Sequence, residues 1–248
     1  MGLIEKMQEI KQAHLGWIWS LEEQSNGVLL SLGFDHFLKE WHLLNGEIKL
    51  ADELCLGSPV LWSRSTGEMV LVGTCNSKIT VFDQRDWSIK VRTLTYPRQP
   101  VIDAVVPKDS PTFYTMSEEG VSCVDNRMWS KFKEFKWNTT CHSISKCHDL
   151  LYVSRSVNDR QDTQIHLIDT KTLSILNEIN ICGASKTRLS ATDSTVACLS
   201  NKLAVYTGGV NPNSIWQFDG DLSNYINLDY TNGRLALTST TGKLACFY

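Results

Sequence analysis

Two short pairs, Cys141-His142 and Cys147-His148, set a thiol beside an imidazole twice within a few residues. Thiolate and imidazole are zinc ligands, and a zinc ion needs each of them about 2.0–2.3 Å away. Between the pairs lies Ser143-Ile144-Ser145-Lys146, which reads as an inner strand. Six extended residues span roughly 20 Å, so one shared ion would need a bend there. A buried cysteine next to a loop histidine is the favoured reading. Asp219-Gly220-Asp221-Leu222-Ser223 opens like a calcium loop, whose sixth and twelfth positions must be Gly and Glu. Those positions hold Asn224 and Tyr230, so the segment is read as a turn. No Gly-x-Ser-x-Gly, His-Glu-x-x-His, P-loop or Gly-x-Gly-x-x-Gly motif occurs. No nucleophile–base set or carboxylate pair is recognisable either. The expectation is a chain without catalytic, cofactor-binding or metal-binding residues. Trp17, Trp19 and Trp62 could form an aromatic recognition surface or fill space between sheets, and packing is the favoured use. Arg92, Arg98, Arg155, Arg160 and Arg188 are scattered and read as solvated.

The composition narrows the class. The chain has 248 residues, with 24 Lys+Arg against 27 Asp+Glu and a net charge of −3. That balance argues against bulk nucleic-acid binding. Apolar residues make up 42% and charged residues 21%, a globular composition. No run approaches the length of a membrane span, and no membrane partner is expected. The N-terminus lacks the basic-then-apolar layout of a signal peptide. The 8 cysteines include no Cys-x-x-Cys pair, and most lie in apolar stretches such as Val196-Ala197-Cys198-Leu199. They read as free thiols of a reducing compartment, the cytoplasm or nucleus.

The elements that carry these residues are short strands. Val28-Leu29-Leu30-Ser31-Leu32 and Met69-Val70-Leu71-Val72-Gly73 are apolar runs, and Lys78-Ile79-Thr80-Val81-Phe82-Asp83 alternates with the period of a half-buried strand. Asn26-Gly27, Asn45-Gly46 and Asn232-Gly233 are hairpin signals, because tight hairpin turns need positive φ. Large apolar residues ending strands recur at Trp41, Phe82, Val124, Ile168, Tyr206 and Phe247, with gaps of 41, 42, 44, 38 and 41 residues. That period matches a β-propeller blade of four strands. The expected fold is all-β, a single propeller domain over 1–248. It has six blades of four short antiparallel strands, at about 17–54, 57–95, 100–136, 140–181, 186–220 and 225–248. The sixth has only three strands, and residues 1–14 would supply a closing strand and a blade junction. Closure would remove an exposed edge. A short helix competes for that stretch, because Leu3, Met7 and Ile10 are three and four apart.

The first unit is the most informative. His14-Leu15-Gly16-Trp17-Ile18-Trp19-Ser20-Leu21 and Leu29-Leu30-Ser31-Leu32-Gly33-Phe34-Asp35-His36-Phe37-Leu38-Lys39-Glu40-Trp41-His42 together resemble a WD repeat. The resemblance implies a structural network of His14, Ser31, Asp35 and Trp41, in which a buried indole N–H and an imidazole satisfy one another's hydrogen bonds. Later units depart from the pattern. Asn76 and Glu118 stand at the turn Asp, Phe82, Val124, Ile168 and Tyr206 stand at the Trp, and no unit ends in Trp-Asp. The opening and the Gly73-Thr74…Lys78-Ile79-Thr80-Val81-Phe82-Asp83-Gln84-Arg85 stretch are similar to blades of F-box/WD-repeat proteins. Members of that family are substrate receptors of Skp-cullin-F-box ubiquitin ligases. Only 13 residues precede His14, too few for the helical F-box. Skp and cullin are therefore partners only if the full-length protein carries that box.

The resemblance implies a non-catalytic protein-interaction propeller. Its partner-binding rim would carry Phe34, His36, Arg98, His142 and Arg188, with Trp17 just inside the channel. Aromatic and Arg side chains on such a rim suit a protein or peptide partner, with an acidic or phosphorylated segment favoured. A scaffold unrelated to ubiquitin and an enzyme with its site at the channel mouth are the rival readings.

Overall fold

The structure is a computed structural model that describes residues 13–23, 28–44, 47–96, 99–107, 110–137, 139–157, 162–181, 187–192, 194–200, 202–218, 225–231, 234–239 and 244–247. Every regular element among them is a strand. The first sheet is β1 (Ile18–Glu23), β2 (Val28–Gly33), β3 (Phe37–Leu44) and β4 (Glu47–Cys55), in that order. The second is β5 (Val60–Thr66), β6 (Met69–Thr74), β7 (Lys78–Asp83) and β8 (Asp86–Thr95). The third contains β9 (Val101–Val105), β10 (Thr112–Ser117), β11 (Gly120–Asp125) and β12 (Ser130–Lys136). The fourth is β13 (Cys141–Cys147), β14 (Leu150–Ser156), β15 (Thr163–Asp169) and β16 (Ile175–Ile181). The fifth is β17 (Arg188–Ala191), β18 (Thr195–Leu199), β19 (Leu203–Thr207) and β20 (Ser214–Phe218). A last sheet has three strands, β21 (Tyr225–Thr231), β22 (Arg234–Ser239) and β23 (Leu244–Phe247).

This corrects the expected architecture. Five sheets have four strands, and the sixth has three with no closing strand among the described residues. Residues 1–12, which were to close the ring, lie outside the described residues. The segment that follows them is not free to act as a strand. His14 and Leu15 are turned into side-chain bonds with Asp35, and the chain bends there before β1 begins at Ile18.

The chain divides into two compact units, Met1–Ser110 and Pro111–Tyr248. In the first, Leu30 and Leu32 share one face of β2 and pack with Val60, Val70, Val72 and Phe82 of the second sheet, while Ser31 between them is buried on the other face. The period of two in the sequence is thus spent on one apolar seam between two sheets. Gly73 of β6 is required there, because a Cβ would overlap the indole of Trp62. In the second unit, Tyr152, Ile165 and Leu167 of the fourth sheet pack with Leu189, Val196 and Cys198 of the fifth.

Two register irregularities recur. In each four-stranded sheet the third and fourth strands slip by one residue, which leaves Ala51, Val91, Phe132, Leu176 and Ile215 as the extra residues of the outer strands. The first and second strands slip in the same way at Trp19, Leu61 and His142. Such bulges re-aim a side chain without ending the strand.

Candidate functional site

The residues around the start of β1 and the β2–β3 turn form one connected group. Asp35 sits in that turn. One of its carboxylate oxygens accepts from His14 Nδ1 at 2.8 Å and from the Phe37 N–H at 3.3 Å. The other accepts the Leu15 N–H at 2.9 Å. His14 Nε2 lies 2.6 Å from Ser31 Oγ, and Trp41 Nε1 donates to the same oxygen at 2.7 Å. The network assigns the tautomer: with the proton on Nδ1, His14 donates to Asp35 and accepts from the Ser31 hydroxyl. Burial alone would raise the Asp35 pKa, but the bonds from His14, Leu15 and Phe37 outweigh it and hold the carboxyl below its ordinary value.

Serine, histidine and aspartate in this order have the connectivity of a nucleophile, a base and an orienting carboxylate. The surroundings oppose that chemistry. Ser31 is 2% exposed, and its oxygen already faces the indole N–H. No substrate carbonyl can reach it. The group ties β1's approach to β2 and β3 instead, and it fixes the backbone of the residues that stand outside it.

Those outside residues are apolar. Leu15 is 90% exposed, Trp17 73% and Phe34 52%. The Phe34 N–H donates to the Trp17 carbonyl at 2.8 Å, and Leu15 is pinned by Asp35. Trp17 meets Trp19 edge-on, with ring centroids 5.6 Å apart. His36 closes the turn in the left-handed region at φ 75°, and its carbonyl accepts the Leu56 N–H at 2.9 Å. A side chain rarely adopts that conformation without fixed neighbours. Trp17, Phe34 and His36 are therefore brought together on a rigid corner. Trp62 is not part of it: its indole is buried and donates to the Val101 carbonyl at 2.8 Å.

In the second unit, Arg188 Nη1 donates to the His142 carbonyl at 3.0 Å, and His142 Nε2 lies 2.7 Å from Ser156 Oγ. These two expected rim residues thus stand together. Arg98 lies outside the described residues, as do Arg160 and the Asp219–Ser223 segment.

Cys141 and Cys147 occupy opposite ends of β13, and both are buried. Burial pushes the Cys141 thiol up to about 12, which leaves it protonated and a poor ligand. Among the described residues no group of three or more His, Cys, Asp or Glu is placed to hold a metal. The cysteines whose side chains are described, Cys55, Cys75, Cys123, Cys141, Cys147 and Cys198, form no disulfide with one another.

Sequence reasoning missed a buried histidine. His166 of β15 accepts from Arg155 Nε at 2.7 Å, with Trp137 packed edge-on and Glu178 at 3.6 Å. Burial first, then the Arg155 guanidinium, push its pKa from 6.5 down to about 4, against a weaker pull from Glu178. The folded imidazole therefore stays neutral while an unfolded one takes up a proton near pH 6.5. Its contribution to stability is complete above that value and is lost as the pH falls towards 4. Melting temperatures measured from pH 7.5 to 5 should fall more steeply for the wild type than for His166→Gln. Parallel slopes would contradict this.

With the geometry in place, the comparisons locate the fold. No protein-family model matches the chain, and no curated protein does. Among solved structures 1459 chains match, so the architecture is widespread and carries little functional specificity of its own. One is the β-propeller domain of Cps50 (Swd1) from Myceliophteria thermophila, with a TM-score of 0.72 and 15% identity, covering 94% of this chain and 86% of that one. At that identity the likeness shows the fold alone. The chain folds as an all-β propeller.

Proposed function

We propose that the chain is a protein-recognition propeller and that its partner seats on the corner of Leu15, Trp17 and Phe34. The observation that carries this reading is the pairing of strong apolar exposure with a pinned backbone at one place. A rigid aromatic anchor loses little freedom on binding, and aromatic anchors dominate interface energetics. His36 on the same turn adds a polar donor at the edge of the patch. The finer reading is a substrate-recognition part of a Skp-cullin-F-box ubiquitin ligase working inside the cell. It rests on the motif resemblance of the first unit. An acidic or phosphorylated partner segment suits the expected rim, although Arg188 is already committed to the His142 carbonyl.

The test is affinity purification of the full-length protein from cells, quantified by mass spectrometry beside a Trp17→Ala/Phe34→Ala variant. Partners should drop at least about tenfold for the variant, while its melting temperature stays within a degree or two of the wild type. An unchanged partner set would overturn the placement. Recovery of Skp and cullin supports the ligase reading. Their absence, where a control F-box protein recovers both, reduces it to a scaffold.

A further inference from the structure

β8 ends its sheet, whose order is β5-β6-β7-β8, and at ten residues it is the longest strand among the described residues. Among the described residues its outer edge is unpaired. Trp87 anchors one end, buried and donating to Glu40 at 2.6 Å, while residues 88–93 are exposed. Ile89 and Val91 are 50% and 45% exposed. Between and beside them stand Lys90 and Arg92, which have no ion-pair partner among the described residues.

The other outer strands settle their charge locally. On β4, Lys49 pairs with Glu47 and Glu53 with Lys39. On β12, Glu134 takes both Lys131 and Lys136, and Lys133 donates to the Lys171 and Thr172 carbonyls. β16 and β20 carry no Lys or Arg at all. Among the described residues, Lys90 and Arg92 are thus the outer-strand cations that meet neither a carboxylate nor a carbonyl.

That charge selects an occupant. Pairing β8 with β8 of a second copy would crowd four cations along one seam, and like charges directly opposite are destabilising. Edge lysines guard against such self-pairing. An acidic strand meets the opposite situation. Val81 pairs with Arg92 and Phe82 with Lys90, so the extra residue Val91 puts the two cations on opposite faces of the sheet. Successive side chains of an added strand also alternate faces. Two neighbouring acidic residues in it would therefore meet one cation each. Arg92 to Thr95 keep an unbroken register with β7, which leaves a regular backbone edge for pairing.

We propose that β8 takes up an extended acidic peptide segment by strand addition. Main-chain bonds along Arg92–Thr95 supply the pairing, and two adjacent carboxylates on Lys90 and Arg92 supply the selection. This surface is separate from the Leu15–Trp17–Phe34 corner.

The probe is a fluorescein-labelled peptide, Thr-Val-Glu-Asp-Val-Thr, followed by anisotropy against the full-length chain. Two changes should each weaken binding at least about tenfold. One is Lys90→Glu/Arg92→Glu, which replaces exposed side chains and should melt like the wild type. The other leaves the protein alone and methylates alternate backbone nitrogens of the probe, removing strand pairing at constant charge. Equal binding of the methylated probe would overturn strand addition, and equal binding to the charge-reversed variant would overturn the site. Concentration-dependent self-association in sedimentation, abolished by the same variant, would overturn the proposal in favour of a second copy. The Trp17→Ala/Phe34→Ala variant should bind the probe normally, so failure here and failure of the corner are read separately.

Discussion

Trp62→Ala is expected to lower stability by about 3–5 kcal/mol, the range for removing a large aromatic from a packed core. The indole is 2% exposed, fills the space that Gly73 leaves in β6, and donates to the Val101 carbonyl. Truncation therefore opens a cavity and leaves a buried acceptor without its donor. Urea unfolding at unchanged m-value measures it. A loss below about 1 kcal/mol would mean that Trp62 is not the packing element placed here.

Ser31→Ala is the second large effect, about 2–4 kcal/mol, because two buried groups lose their partner at about 1–3 kcal/mol each. The Trp41 indole N–H has no other acceptor in the network, and His14 Nε2 loses the hydroxyl that it accepts from. Asp35→Ala should cost about 1–3 kcal/mol by the same argument. Asn76→Ala should cost less than either, because it removes a single bond from the Thr74 hydroxyl in a sheet that has Phe82 at the Trp41 position. Thermal melts of the three variants rank them. Equal small losses would contradict the network as a tie between strands.

What was legible in the sequence follows from what a strand needs. Lys78-Ile79-Thr80-Val81-Phe82-Asp83 alternates, and β7 covers those residues with Ile79 and Val81 buried. The stretch between Cys141 and His148 reads as extended, and β13 runs through it. The resemblance of the first unit to a WD repeat implies one group of polar side chains. His14, Ser31, Asp35 and Trp41 stand within hydrogen-bond reach although they are far apart in the chain.

The remainder depends on pairing rather than pattern. A bulge changes register without disturbing local alternation, so the slips at Val91, Phe132 and His142 leave no mark in the residue types. The same holds for strand count: a plausible closing strand can be drawn from any apolar segment near a terminus, and the last sheet has three strands among the described residues. The isolation of Lys90 and Arg92 becomes visible only when the neighbours of every outer strand are known. His166 was missed because a lone histidine on a strand carries no motif, and its neutrality is set by burial and by Arg155.

The central claim is that a partner rests on the pinned apolar corner beside the first sheet. The most direct measurement replaces Trp17 with the photo-crosslinking residue p-benzoylphenylalanine in cells, and replaces Phe132 in a parallel sample. Both positions are aromatic and exposed, at 73% and 59%, so neither substitution disturbs the core. The account predicts a strong adduct to a partner protein from position 17 and little from 132. Adducts from 132 with none from 17 would contradict it.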